Sequence, residues 1–132
     1  TSYAMNQIAL KEARLGGADE AILFNTAGFL CEGTTSNLFL VKDSELHTPP
    51  LSSGCLPGVT RSTVLEIASE IGIIYHVRDL TIDDVYQCDE AFLTSSLREI
   101  HPVQKWGGKS MSAVNGALVK RLLEAYRKRA WQ

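Results

Sequence analysis

Apolar residues recur at helical spacing near both ends of the chain and again just before its middle. Apolar side chains three to four residues apart predict helices over residues 2–15, 59–71 and 114–129. A glycine directly follows each of the first two segments and is predicted to end the helix, because glycine readily adopts the left-handed conformation found at helix C-termini. Thr81 followed by Asp84 has the spacing of a capping box, which predicts a further short helix through Tyr86.

Between these helices the apolar residues form short runs bounded by turn-forming residues, which is the pattern of buried strands. The polar segment 25–28 separates the first two runs and predicts a hairpin, and the pair Pro49-Pro50 ends the fourth run. The runs cover residues 21–24, 29–31, 38–41, 46–48, 73–77, 91–94 and 100–103, and a turn is predicted at 106–109. Strands in the middle with helices at both ends predict a mixed α/β (α+β) fold, in which a mixed sheet is flanked by helices.

The composition is that of one globular domain. The chain has 132 residues, of which 45% are hydrophobic and 21% charged, close to the values of an ordinary folded protein. The formal net charge is −2, and the lack of a basic excess argues against a nucleic-acid partner. No apolar run approaches the roughly 18 residues needed to cross a bilayer, so no membrane partner is expected either.

The cysteines and histidines are scattered along the sequence. An odd number of cysteines without a C-x-x-C pair predicts no disulfide framework and favours a cytoplasmic location. The histidines have no metal-ligand spacing, so the sequence predicts no metal site. These residues are Cys31, Cys55 and Cys88, and His47, His76 and His101.

The chain opens Thr1-Ser2-Tyr3, without an initiator methionine, and passes directly into a helical pattern. The charged and apolar regions of a signal peptide are both missing. We therefore expect these residues to be a piece of a longer protein.

The segment Gly54–Arg61 is a glycine-containing loop that feeds a helix. Free backbone N–H groups at a helix N-terminus favour an anion, and the Thr60 hydroxyl adds a donor, so this segment is a candidate phosphate site. The alternative is a plain loop that Thr60 caps. It is not a Walker loop, because no Gly-Lys-Ser/Thr follows.

Two further polar segments adjoin buried strands. Glu32–Asn37 lies between two apolar runs, and its carboxylate could hold a ring nitrogen protonated by pairing with it. The alternative is a solvated carboxylate at a strand end. Thr94–Glu99 follows a third run and offers hydroxyls and N–H groups to a phosphate or carboxylate. The alternative there is a turn with a surface ion pair between Arg98 and Glu99, which would contribute at most about 1 kcal/mol.

Taken in order, these segments resemble the C-terminal domain of the fold-type IV pyridoxal-phosphate enzymes, the class IV aminotransferases. That family includes branched-chain and D-amino-acid aminotransferases and aminodeoxychorismate lyase. The resemblance covers nearly the whole chain and agrees in both order and spacing. The matching stretches are residues 17–21, 32–37, 48–50, 56–61 and 89–100. It implies a mixed sheet or pseudo-barrel flanked by helices, with pyridoxal 5'-phosphate as the cofactor.

The resemblance also implies a role for individual residues. Glu32 matches the acid that pairs with the pyridine nitrogen, so that the ring can act as an electron sink. Leu56 matches the residue packed on one ring face, and Thr35 falls where the other face is approached. Gly58 would permit a close approach at the phosphate. The remaining cofactor contacts are implied for the N–H groups of Val59 and Thr60, the hydroxyls of Thr60 and Ser96, and the phenol of Tyr3.

For the substrate, the resemblance implies a small amino acid or 2-oxo acid. The N–H groups of Ser96 and Leu97 match groups that meet its carboxylate, and Arg98 could assist them. The amino acid and its L or D configuration are not readable, because much of the family's substrate pocket belongs to an N-terminal domain that this chain lacks.

The chain departs from the family pattern in one respect: it does not contain the Schiff-base lysine. Spacing from Tyr3 places that lysine one or two residues before Thr1, so no catalytic nucleophile is expected within the chain. Residues 1–132 therefore match a single cofactor-cradle domain without the family's N-terminal domain, which normally supplies an arginine to the phosphate and contacts between subunits.

Three hypotheses follow. The parent protein is an aminotransferase that moves an amino group between an amino acid and a 2-oxo acid, as a homodimer completed by its N-terminal domain. Alternatively, it is an aminodeoxychorismate lyase that releases 4-aminobenzoate and pyruvate. Thirdly, the 132-residue chain by itself is a non-catalytic folded fragment, which we expect to associate through the surface its missing neighbour would cover.

Overall fold

In a computed structural model of the chain, the described residues are 20–33, 36–96, 99–106, 109–113 and 116–130. The helix predicted over residues 2–15 lies outside them. Among the described helices, none is long and apolar enough to cross a membrane.

The described strands form one central mixed sheet and two short hairpins. The central order is β5-β4-β3-β6-β7, and every neighbouring pair is antiparallel except the parallel pair β4 and β5. The hairpins are β1 with β2 and β8 with β9. The strands are β1 (Ile22–Phe24), β2 (Leu30–Gly33), β3 (Asn37–Lys42), β4 (Glu45–Thr48), β5 (Tyr75–Val77), β6 (Glu90–Ser95), β7 (Glu99–Pro102), β8 (Lys105–Trp106) and β9 (Lys109–Ser110).

Three described helices accompany the sheet. They are α1 (Val59–Glu70), α2 (Ile82–Gln87) and α3 (Ala117–Ala130). A 3-10 turn (Leu51–Ser53) lies in the loop before α1. Thr81 and Asp84 form the predicted capping box at the start of α2, each side chain accepting a hydrogen bond from the other's backbone N–H.

Alternate residues of a strand point to opposite sides of a sheet, and the inner strands β3 and β6 are buried on both sides. Phe39 and Val41 of β3 pack with α1 and α3 in one core, where Phe39 stacks on Phe92 of β6 with ring centroids 5.0 Å apart. Leu38 and Leu40 belong to a second core on the other face, which includes residues of β2 and α2. The predicted mixed α/β fold, a mixed sheet flanked by helices, is confirmed.

Two predicted boundaries differ from the structure for a physical reason. The strand expected from residue 73 begins only at Tyr75, because the N–H of Ile73 closes the end of α1 by donating to the Ala68 carbonyl at 2.8 Å. The last helix begins at Ala117: the N–H of Lys120 donates to the Gly116 carbonyl at 2.9 Å, and the N–H of Gly116, one of the donors that a helix start leaves unpaired, donates to Glu90 Oε1 at 2.7 Å.

Candidate functional site

The loop before α1, residues 49–58, is tied to the rest of the protein along its length. The Ser53 carbonyl accepts hydrogen bonds from Asn25 Nδ2 at 3.2 Å and from Cys31 Sγ at 3.5 Å. Arg61 Nη2 of α1 donates to the Pro49 carbonyl at 3.2 Å. These contacts join the loop to the β1–β2 hairpin on one side and to α1 on the other, so the position of the helix N-terminus is fixed by the fold.

The N-terminus of α1 has the character of an anion site. Gly58 is the N-cap residue, and among the described residues no side chain caps this helix. The first-turn N–H groups have no partner within the helix by geometry. Val59 is 80% exposed, whereas Thr60 is buried. Thr60 is thus the second helical residue and not the cap, which removes the alternative of a plain loop capped by Thr60.

Gly58 lies directly against the side chain of Asn37. A Cβ built on Gly58 would lie 2.2 Å from Asn37 Oδ1, well inside van der Waals contact. The same amide donates through Nδ2 to the Leu56 carbonyl at 2.8 Å. Asn37, at the start of β3, therefore connects the sheet to the end of the loop.

Glu32 lies in β2 and is 5% exposed. Its Oε2 accepts a hydrogen bond from the Leu56 N–H at 3.3 Å, which places the carboxylate beside the loop that enters α1. Burial raises the pKa of the Glu32 carboxyl, and the hydrogen bond from Leu56 offsets part of that rise. Within the described residues no lysine, arginine or histidine forms a salt bridge with it.

The end of β6 approaches the same helix terminus. Thr94 is paired in register with Asn37, and both lie on the face of the sheet that α1 covers, because each alternates with a residue of the opposite core. The Thr94 hydroxyl is buried and finds no hydrogen-bond partner in the part of the chain that the structure describes. Ser96 follows directly after β6 and is exposed.

Arg61 places a buried positive charge in the first turn of α1. It is 6% exposed, no described carboxylate forms a salt bridge with it, and its Nε has no hydrogen-bond partner among the described residues. A buried cation at the positive end of a helix dipole is electrostatically unfavourable unless an anion balances it. An anion bound at the N-terminus of α1 would supply that balance.

The structure thus brings several predicted residues to one place. Glu32 and Leu56 are joined by a hydrogen bond, Leu56 and Gly58 are both in contact with Asn37, and Val59 and Thr60 form the first turn that follows. Ser96 lies just past Thr94 at the end of the adjacent strand. Tyr3, Thr35, Leu97 and Arg98 lie outside the described residues.

The candidate segments of the sequence contain Asn37, Thr94 and Arg61, but sequence reasoning assigned none of the three a role of its own. The signal for the first two was a polar residue at the end of an otherwise apolar strand run. Arg61 gave none, because an arginine in the first turn of a helix is normally solvent-exposed.

A family model described as "Amino-transferase class IV" matches residues 1–106 of the chain. The branched-chain-amino-acid aminotransferase of Pseudomonas aeruginosa is 37% identical over 126 residues, which is 95% of this chain and 41% of that protein. The chain therefore spans less than half the length of this curated relative.

Solved structures agree with the sequence comparison. A branched-chain amino acid aminotransferase from Thermobaculum terrenum, in its PLP form, superposes with a TM-score of 0.94 at 34% identity and covers 98% of this chain and 43% of its own. A Legionella pneumophila protein named "Putative 4-amino-4-deoxychorismate lyase" superposes with a TM-score of 0.93 at 30% identity, over 97% of this chain and 47% of its own.

Proposed function

Because this chain belongs to the class IV aminotransferase family, we propose that it forms the cofactor-binding part of a pyridoxal-phosphate enzyme that transfers an amino group between an amino acid and a 2-oxo acid. The observation that carries the proposal is the position of Glu32. A buried carboxylate without a described cationic partner lies beside the loop that enters an uncapped helix N-terminus. One end of the site thus favours a cation and the other an anion.

The bound cofactor supplies an electron-poor ring that withdraws electrons from the substrate α-carbon. The role of Glu32 is to keep the ring nitrogen protonated. Its own pKa is raised by burial, and a facing N–H cation would lower that pKa again, so the pair is stabilised as an ion pair inside the site. The Leu56 N–H orients the carboxylate by holding one of its oxygens.

The phosphate end of the proposed site is the first turn of α1. The N–H groups of Val59 and Thr60, with the Thr60 hydroxyl, would donate to phosphate oxygens, and the helix dipole and the charge of Arg61 favour the same dianion. Gly58 lets the helix begin against Asn37. The exposed Ser96 hydroxyl would donate from the end of β6.

The ring and the substrate require further groups. Leu56, which is 66% exposed, would pack on one ring face and Thr35 would approach the other, while Tyr3 would donate to the phenolic oxygen. The N–H groups of Ser96 and Leu97, with Arg98, would hold the substrate carboxylate. The Schiff-base lysine would belong to sequence before Thr1, and an N-terminal domain and a second subunit would complete the pocket. The three free cysteines suit a cytoplasmic enzyme, since thiols there are kept reduced.

Branched-chain amino acids are the proposed substrates, since the P. aeruginosa relative is named for them. The similarity to the L. pneumophila structure favours aminodeoxychorismate lyase as the second candidate. Assays of the full-length protein with leucine plus 2-oxoglutarate, and separately with aminodeoxychorismate, distinguish the two. Amino transfer to 2-oxoglutarate supports the first, and release of 4-aminobenzoate and pyruvate supports the second.

The site itself is tested by cofactor binding to the full-length protein, followed by its visible absorbance. Glu32→Gln and Thr60→Ala should each weaken binding, by about tenfold or more for a lost charge-assisted contact. Glu66→Gln and Ser69→Ala, exposed positions further along α1, are the matched controls and should bind as the wild type does. Equal binding by all five proteins would overturn the placement of the cofactor.

A further inference from the structure

Strand β4 and the edge strand β5 bring together three potential metal ligands: Glu45, His47 and His76. His47 and His76 are opposite each other in the parallel pairing of the two strands. Glu45 is two residues before His47, so the two side chains share one face of β4, while Leu46 and Thr48 are buried on the other. The three side chains therefore extend from two neighbouring strands whose backbones the hydrogen bonds of the sheet hold side by side.

The ligand atoms are already close to one another. One nitrogen from each imidazole and one oxygen of Glu45 all lie within 4.8 Å of one another. His76 Nε2 is 2.7 Å from Glu45 Oε1, and the two imidazole rings stack with centroids 4.8 Å apart. The ligand atoms around a tetrahedral ion with bonds of about 2.0–2.2 Å lie about 3.3–3.6 Å apart. The three side chains are partly exposed, so core packing does not block their rotation toward that spacing.

We propose that Glu45, His47 and His76 bind a divalent transition-metal ion, Zn²⁺ in the first instance, at the β4–β5 edge of the sheet. Two imidazole nitrogens and one carboxylate oxygen suit zinc and its neighbours, whereas Mg²⁺ and Ca²⁺ prefer oxygen ligands alone. Three protein ligands leave a fourth position to water. None of the proposed cofactor-binding residues belongs to this cluster.

Arg78 competes with the ion for His47. Its Nε donates to His47 Nδ1 at 3.1 Å, so the neutral ring carries its proton on Nε2. A metal at Nδ1 would displace this bond directly, and a metal at Nε2 would move the proton to Nδ1 and remove the acceptor. Arg78 keeps its salt bridge to Asp84, 3.1 Å away, in either case. The side chain can therefore release the imidazole without losing its charge partner.

Sequence spacing could not find this cluster. Glu45 and His76 are 31 residues apart, and only the parallel pairing of β4 with β5 places them side by side. The 3-10 turn and α1 lie between the two strands in the sequence, so the three ligands do not form a short sequence motif.

The test is calorimetric titration of the metal-free protein with ZnCl₂ near pH 7.5. The titration is repeated with NiCl₂, because Ni²⁺ also prefers imidazole ligands to carboxylates. The wild type should bind one ion per chain. Glu45→Gln, His47→Phe and His76→Phe should each lower the affinity by about tenfold or more. Arg78→Gln should raise it, because a competing donor and a positive charge are removed. Circular dichroism establishes that each variant is folded.

His101→Phe is the matched control, because His101 is an exposed histidine on β7, at the opposite edge of the same sheet. It should bind zinc as tightly as the wild type. Absence of one-to-one binding by the wild type would overturn the proposal. Unchanged affinity in His47→Phe and His76→Phe would do so as well, since the ion would then lie on other groups such as the cysteine thiols.

Discussion

Burial of the Glu32 carboxylate destabilises the folded protein, and the same burial prepares this side chain to bind a cation. Transfer of a carboxylate from water into a buried position disfavours the charged form, and the hydrogen bond from the Leu56 N–H at 3.3 Å compensates only in part. The folded protein therefore bears a cost at neutral pH that a bound cation would relieve. The same environment that destabilises the ligand-free fold prepares the site for a protonated ring nitrogen.

This cost predicts a specific pH dependence of stability. The pKa of Glu32 is raised in the folded state, so the folded protein binds more protons than the unfolded chain as pH rises from the ordinary glutamate pKa of about 4.3 to the raised pKa. The carboxylate therefore lowers the free energy of unfolding across that window. Glu32→Gln does not titrate, and its stability relative to the wild type should increase with pH until the raised pKa is passed.

Urea denaturation of both proteins at several pH values between 4 and 8 measures this difference. Glu66→Gln is the control, because Glu66 is exposed and forms a salt bridge with Arg129 at 3.1 Å. Its replacement removes a surface salt bridge and should change the free energy of unfolding by at most about 1 kcal/mol. A Glu32→Gln difference that is flat, or that decreases with pH, contradicts the assigned burial.

At the scale of elements, the junction between the loop and α1 determines the site. Gly58 has φ −61° and ψ 141°, a conformation that alanine adopts without strain. The reason for glycine there is steric and not conformational. The side chain of Asn37 occupies the space of a Cβ and holds the Leu56 carbonyl at the same time.

Gly58→Ala should therefore destabilise the protein by about 1–3 kcal/mol, because the new methyl group must displace the Asn37 amide. In an Asn37→Ala background the same change should cost less, by about 1 kcal/mol, because the clash is already removed. Urea denaturation of the two single variants and the double variant completes the cycle. Strictly additive effects would show that the methyl group meets a different obstacle.

The order of these elements was predictable from sequence, while their junctions were not. Apolar periodicity found α1, the β1–β2 hairpin and the runs that became β3 and β6, because those patterns reflect burial directly. The family resemblance pointed to Glu32, Gly58 and Thr60. The contacts of Asn37 with Gly58 and the pairing of Asn37 with Thr94 join residues distant in sequence, and they depend on strand register, which no local pattern encodes.

At the scale of the whole molecule, the inner strands of the central sheet are covered on both faces and the candidate site lies outside the two apolar cores. Several large apolar side chains remain exposed around the site. The hydrogen bond from Asn25 to Ser53 joins the β1–β2 hairpin, which carries one of them, to the loop and first turn of α1, which carry the others. They are Phe24, Leu51, Leu56 and Val59, with exposures of 49%, 50%, 66% and 80%.

Exposed apolar patches of this kind drive association. The 132-residue chain by itself should therefore form dimers or larger species whose proportion rises with concentration, as measured by light scattering. Leu51→Lys and Val59→Lys should each shift the distribution toward monomer, because a charge in the patch must be desolvated on association. Ile74→Lys, at a position 58% exposed just before β5, is the matched control and should leave association unchanged. A monomer at high concentration, or an equal response to all three substitutions, would show that this surface does not mediate association.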